Sequence, residues 1–157
     1  LPIMLMTLRC KMEVSHRIRV ARNFDTHHIY EIEKSAFGSS AWSRENLANY
    51  LSNKATMSFI VENSKNILGY NMVTFIESDF EIIKLAVTPL SQNKGIGNSL
   101  LVHFLDQIPK NSSVFLDVSR SNTSGISLYK KNGFREISIR YSYYQDGSDA
   151  LVLCYKN

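Results

Sequence analysis

Between Glu81 and Gln107 the chain reads EIIKLAVTPLSQNKGIGNSLLVHFLDQ, and no other stretch limits the fold as tightly. Residues 81–88 are rich in Ile, Leu and Val and stop at Pro89, which predicts a buried strand. From Ile96 the apolar residues Ile96, Leu100, Phe104 and Ile108 recur at helical spacing. Pro109, with no N–H to donate, predicts where that helix ends. Between strand and helix lies Gln92-Asn93-Lys94-Gly95-Ile96-Gly97. Two glycines at a helix start let backbone N–H groups approach an anion closely, and the helix's positive end adds to the attraction. The same spacing also fits a strand-to-helix turn that binds nothing. The loop lacks the third glycine of a dinucleotide fingerprint and the Gly-Lys-Ser/Thr ending of a P-loop, so spacing alone leaves both readings open.

At 157 residues, 44% apolar and 20% charged, the chain has the make-up of one globular domain rather than a disordered segment. Lys and Arg outnumber Asp and Glu by 18 to 14, a net charge of +4 that suits acidic ligands. No run of five basic residues occurs, and Arg17, Arg19 and Arg22 read as a solvated strand face, so direct nucleic-acid binding is not expected. Cys10 and Cys154 lie near opposite ends without a CxxC, and His16, His27, His28 and His103 lack metal-ligand spacing. Reduced thiols, no metal, a cytoplasmic location and a monomer are expected. The opening LPIMLMTLRCKM is apolar but short, with no cleavage site, so neither a signal peptide nor a membrane span is read there. Met4, Met6 or Met12 offers a start, so residues 1–12 read as an N-terminal extension or cloning remnant ahead of a single domain over 13–157.

Taken in order, residues 15–21 alternate as a first strand, and Asp25 is placed to N-cap a helix over 27–37. That helix carries Ile29, Ile32, Glu33 and Ala36 in register and breaks at Gly38-Ser39-Ser40. Ser43 starts a second helix; Trp42 just before it reads either as a staple against Leu47 or as the wall of a cleft. Strands over 56–61 and 67–76 follow, then the central strand, giving an antiparallel meander. After the central helix come a strand over 113–118, a helix over 123–131 capped by Asn122 and ended at Asn132-Gly133, and strands over 134–140 and 150–155 around an Asp146-Gly147 turn. The fold class is therefore α/β: a mixed sheet with helices on both faces. The strands flanking the crossover helix should be parallel neighbours, opening a ligand crevice at their C-terminal ends.

Several runs are quotable beyond the glycine loop: Ile32-Glu33-x-x-Ala36-Phe37, Trp42-Ser43, Leu85-Ala86-Val87, Leu116-Asp117-Val118-x-x-Ser121-Asn122, Leu128-Tyr129-x-x-x-Gly133-Phe134, Arg140-x-x-Tyr143-Tyr144 and Asp146-Gly147-x-x-Asp149-Ala150. With Gln92-x-x-Gly95-x-Gly97, which matches the (Q/R)xxGxG/A acetyl-CoA signature, they resemble the GCN5-related N-acetyltransferase (GNAT) superfamily from about Ile29 onward. The likeness is greatest to its RimI-type protein N-terminal acetyltransferases, whose best-known substrate is a ribosomal protein's N-terminal alanine.

The resemblance implies the GNAT fold and acetyl-CoA as cosubstrate. It implies that backbone groups of Leu85, Ala86 and Val87 hold the pantetheine arm and acetyl group. Asn93, Lys94, Gly95, Ile96, Gly97 and Asn98 would cradle the pyrophosphate, and Asn122 would contact the thiol-bearing arm. Tyr129 would protonate the departing thiolate, whereas on spacing alone it reads as a core aromatic. Asp117 stands where relatives of this type usually carry a glutamate base. One methylene shorter, it reads as acting through a bridging water or as making a structural hydrogen bond. Trp42, Tyr143 and Tyr144 would line a peptide entrance; Arg120, Lys130 and Lys131 read as solvated charges. An α-amine with pKa near 7.7–8.0 is neutral about one time in seven at pH 7, a lysine near 10.4 about once in 2,500, so an α-amine needs only modest help to attack. A protein N-terminus, such as a ribosomal protein's, is thus the expected acceptor. A small amine (polyamine, antibiotic or amino acid) or a non-catalytic acetyl-CoA-binding module stands as the alternative.

Overall fold

The computed structural model describes residues 15–157; the expected extension over 1–12 and Cys10 lie outside them. Strand β1 (Arg17–Val20) precedes helices α1 (Thr26–Phe37) and α2 (Arg44–Ser52). The meander β2 (Thr56–Glu62), β3 (Ile67–Ile76) and β4 (Asp79–Val87) leads into α3 (Ile96–Leu105). Strand β5 (Ser113–Ser119), helix α4 (Thr123–Lys131) and strands β6 (Arg135–Arg140) and β7 (Ala150–Lys156) complete the chain. The seven strands form one sheet in the order β1-β2-β3-β4-β5-β7-β6. All neighbours run antiparallel except β4 and β5, joined through α3, which run parallel. This is the mixed α/β sheet expected.

Two cores sandwich the sheet. On one face Ile96, Leu100, Leu101 and Phe104 of α3 and Tyr129 of α4 meet Val61, Val73, Ile82, Val114, Leu116 and Leu153 from the strands. On the other, Ile29 and Ile32 of α1 and Leu47 of α2 meet Ile60, Tyr70, Met72 and Ala86. Covered on both faces, β3 and β4 carry near-continuous apolar runs; β6, at an edge, carries Arg135, Glu136 and Arg140 and is mostly exposed. Among the described residues no helix is long and apolar enough to cross a membrane.

Two local expectations are corrected. Asp25 occupies the N-cap position of α1 but makes no side-chain cap bond there. Residues 23–25 form a 3₁₀ turn that already puts its backbone in the helical region, and its carboxylate instead accepts from Arg22 N–H and from both Arg19 guanidinium nitrogens, each at 2.8 Å. Helix α3 ends at Leu105 rather than Ile108. Ile108 precedes Pro109 and is biased away from helical geometry, and the chain reaches it through a tighter turn in which Gln107 N–H donates to Phe104 C=O (3.0 Å). Elsewhere capping follows the residues: Ser43 Oγ accepts from Asn46 N–H (3.1 Å) and Asn122 Oδ1 from Gly125 N–H (3.0 Å).

Candidate active site

Strands β4 and β5 pair only through Asp79–Ser113, Phe80–Val114 and Glu81–Phe115, then part. Beyond Glu81 the β5-facing edge of β4 is unpaired, and an irregularity opposite Met72 and Val73 of β3 bends it further. Thr88 N–H donates to Leu68 C=O (2.8 Å), so by ladder alternation Ala86 exchanges bonds with Tyr70. The N–H and C=O of Leu85 and Val87 point the other way, into the split; the Val87 carbonyl accepts from Gln92 Nε2 (3.0 Å). Of the three residues expected along an extended ligand, Leu85 therefore offers its N–H and C=O and Val87 its N–H, while Ala86 contributes its buried methyl.

At the top of the split the chain enters α3. Gly95, the N-cap, takes a left-handed φ of 82°, and Asn93 takes 59°. A Cβ on Gly95 would meet nothing within 4 Å, so this turn faces open space. None of the N–H groups of Asn93, Lys94, Gly95, Ile96, Gly97 and Asn98 makes a hydrogen bond of good geometry to another described residue. Six consecutive donors left unpaired at a helix's positive end are an arrangement that attracts an anion. Gly97 faces inward: a Cβ there would lie 3.5–3.7 Å from Leu85, Leu128 and Val87 side chains, room for a methyl and little else. The Asn98 side chain accepts from Asn132 Nδ2 (2.9 Å), which also donates to Leu128 C=O, fastening the start of α3 to the end of α4.

Tyr129 projects from α4, buried, with its ring edge-on to Phe134 at 5.5 Å. Its hydroxyl has no hydrogen-bond partner among the described residues, and burial, with Tyr144 nearby, pushes its pKa up to about 12. The phenol holds its proton at any physiological pH. On β5, apolar Val114, Leu116 and Val118 face the α3 side, so Asp117 faces the α1 side. Arg140 Nε donates to Asp117 Oδ1 at 3.2 Å. The Asp117 charge, with Glu81 contributing, raises the Tyr143 phenol, while burial and then Asp117 raise Tyr144. Asp117, Tyr129, Tyr143 and Tyr144 thus share one neighbourhood, with Glu81 at its edge. The loop carrying the tyrosines is self-braced: Tyr143 and Tyr144 N–H both donate to Ser148 C=O (3.0 and 3.1 Å), and Asp149 ties Ser142 N–H to Arg120.

The model of the acetyltransferase (GNAT) family matches residues 25–134. The chain belongs to that family. It is similar to the ribosomal protein bS18-alanine N-acetyltransferase of Escherichia coli (strain K12), 30% identical over 134 residues that cover 82% of this chain and 89% of the relative. It is also similar to the N-alpha-acetyltransferase of Sulfurisphaera tokodaii, 29% identical over 154 residues, covering 88% of this chain and 91% of the relative. The crystal structure of the ribosomal-protein-S18-alanine N-acetyltransferase from E. coli superposes with a TM-score of 0.82 at 26% identity, over 89% of this chain and 92% of that one.

In this acetyltransferase Trp42 stands apart from the tyrosine pair. Its ring stacks on Tyr50 at 4.8 Å against the cluster containing Leu47, and no aromatic or hydrogen-bond contact among the described residues joins it to Tyr143 or Tyr144. Asn122 caps α4 through Oδ1, which leaves its Nδ2 for other partners. Arg120 pairs with Asp149 at 3.3 Å. Sequence reasoning missed a buried group: Glu33, fully enclosed, accepts from Lys84 Nζ (2.8 Å), from Trp42 N–H (3.0 Å) and from the Tyr70 hydroxyl. The signal was a lysine between the apolar pairs Ile82-Ile83 and Leu85-Ala86 and a glutamate on the buried face of α1. A separate cavity of about 530 Å³ beside β1 is lined by Arg17, Arg19, Asp25, His28 and Glu62. Both arginines pair with Glu62 and Arg19 also pairs with Asp25, so those charges are satisfied internally.

Proposed function

We propose that this GNAT acetyltransferase transfers an acetyl group from acetyl-CoA to the α-amine of a protein N-terminus, as a ribosomal-protein-alanine type of enzyme would. The observation that carries the reading is the conjunction of the six N–H groups of residues 93–98, none bonded to another described residue, with a buried, protonated Tyr129 that has no hydrogen-bond partner among the described residues and lies near Tyr144. The likeness to a ribosomal protein bS18-alanine N-acetyltransferase and to an N-alpha-acetyltransferase supports the choice of amine.

Acetyl-CoA supplies an activated carbonyl. Asn93 to Asn98 would hold its pyrophosphate by backbone donation, and Leu85 and Val87 would align its amide arm along the free edge of β4, as an added strand. Asn122 Nδ2 is available to the thiol-bearing end. Asp117, acting through water because of its short reach, would take the proton that the α-ammonium sheds before it attacks, with Glu81 on the same side sharing that work, and the proton that the nitrogen loses after the new N–C bond forms would pass to water. A backbone N–H of β4 meets the charge that develops on the carbonyl oxygen. As the C–S bond breaks, Tyr129 gives its proton to the sulfur. Tyr143 and Tyr144, with Trp42 further along, line the way in for the peptide.

The test is acetyl transfer to short peptides that differ only in their first residue, run beside spermidine and free lysine. Transfer confined to certain peptide N-termini is expected. Transfer only to the small amines would move the enzyme to that class of substrate, and tight acetyl-CoA binding without transfer would leave a binding module.

A further inference from the structure

Glu33 joins four parts of the acceptor side. Its carboxylate, 0% exposed, receives Lys84 from β4, Tyr70 from β3 and the backbone of Trp42 from the α1–α2 connection. Lys84 is enclosed in turn: its ammonium lies 4.1 Å from the centre of the Phe37 ring and 4.8 Å from that of Trp42. The Lys84 side chain is 15% exposed. A buried ion pair is a poor source of stability, since desolvation offsets most of its attraction and apolar replacements are often neutral or better. It is directional, however. A carboxylate met by three donors and a cation held against two rings tolerate one arrangement of the groups around them.

What it arranges is decided by position. Lys84 shares a strand face with Ala86, two residues or roughly 7 Å on. Between and beyond them lie Leu85 and Val87, whose backbone groups border the split. Asp117 and Glu81 face the same side of the sheet. Residues 37–42 cover that side at Lys84.

We propose that the Lys84–Glu33 pair is a strut that positions the Phe37–Trp42 segment against β4, and so sets where the acceptor amine arrives relative to the acetyl group. The pair is a positioning device, not a catalytic one. Its charges cancel, so the wall it presents to the acceptor is aromatic and uncharged. The acceptor half of this inference rests on the function proposed above; the strut itself does not.

The test uses the full chain with Glu33→Gln/Lys84→Met, which removes both charges at similar volume, and Lys84→Arg, which keeps the cation. Thermal melting checks folding, and the double variant is expected to melt within about 5 °C of the parent. Trp42 is the sole tryptophan, so acrylamide quenching of its emission reads the segment without any need for turnover. Quenching should rise about twofold or more in the double variant, with Lys84→Arg near the parent. With the peptide that the parent prefers, the double variant's acceptor KM should rise about tenfold while the acetyl-CoA KM moves less than about twofold, and Lys84→Arg should restore most of the difference. Unchanged quenching in the folded double variant overturns the strut. Changed quenching with an unchanged acceptor KM, or equal rises in both KM values, overturns its role in placing the acceptor. No transfer by the parent to any amine would overturn the function reading and the acceptor role together, while quenching still judges the strut.

Discussion

The two faces of the sheet are built on different plans. The α3/α4 face is a large, uniformly apolar core of nineteen buried residues among those described, ending at a loop of unpaired N–H groups. The α1/α2 face has a core of eight, threaded by a buried Glu–Lys–Tyr group and two aromatic rings stacked on each other. The first plan suits a ligand that is the same in every turnover: the fixed parts are backbone, and side chains need only pack. The second suits a partner that differs from one enzyme to the next, because its shape is set by particular side chains. Under the function proposed above, the donor would be read by the main chain and the acceptor by side chains.

If that division holds, the largest effect should come from closing the donor cradle. Gly97→Ala fits at ordinary contact distance and should leave acetyl-CoA affinity within about threefold. Gly97→Trp has to displace Leu85 or Leu128, and should abolish acetyl-CoA binding by calorimetry, with circular dichroism confirming that the chain still folds. Unaltered binding by a folded Trp variant would remove the cradle from the account.

Next in size is Tyr129→Phe. Its hydroxyl makes no bond to the described protein, so the fold should not notice the loss, whereas kcat should drop by about 10²–10⁴ with acetyl-CoA affinity unchanged. Because burial pushes that phenol up to about 12, the parent enzyme's kcat should show no alkaline decline from it below about pH 10. Loss of binding and turnover in equal measure would make Tyr129 a packing residue.

The smallest effect belongs to Asp117→Asn. If Asp117 only helps an ammonium with pKa near 7.7–8.0 to shed its proton, the variant should lose about sevenfold or less at pH 7, and the deficit should vanish towards pH 9, where the amine is already neutral. A deficit that stays constant across pH would mean that Asp117 serves chiefly to hold Arg140.

The same division governs what could be read in advance. Strand β3 matches its expected bounds at residues 67–76 because the turn before it is spelled in Asn, Ser and Lys, and the cradle is legible because glycines punctuate it. Both are local. Asp25 holds the expected cap position but not the cap bond, because its bidentate partner Arg19 sits on a preceding strand, a pairing that the local sequence does not show. Glu33 and Lys84 stand 51 residues apart, and their pairing depends on α1 crossing β4, which no window of sequence contains. Each was nevertheless an anomaly, a charge on a face that should be dry, and such a residue asks for a partner before the fold is known. Asp117 and Arg140 likewise meet only because β6 and β5 flank β7.

The short pairing of β4 with β5 has a thermodynamic consequence. The sheet is unfinished along one edge, and an amide-bearing ligand laid there supplies the missing ladder. Such a ligand binds the folded chain and not the unfolded one, so the midpoint of thermal unfolding becomes a function of its concentration, with about 2.7 kcal/mol added at a hundredfold excess over Kd. In a cell the supply of that ligand would therefore regulate how long the protein lasts as well as how fast it works.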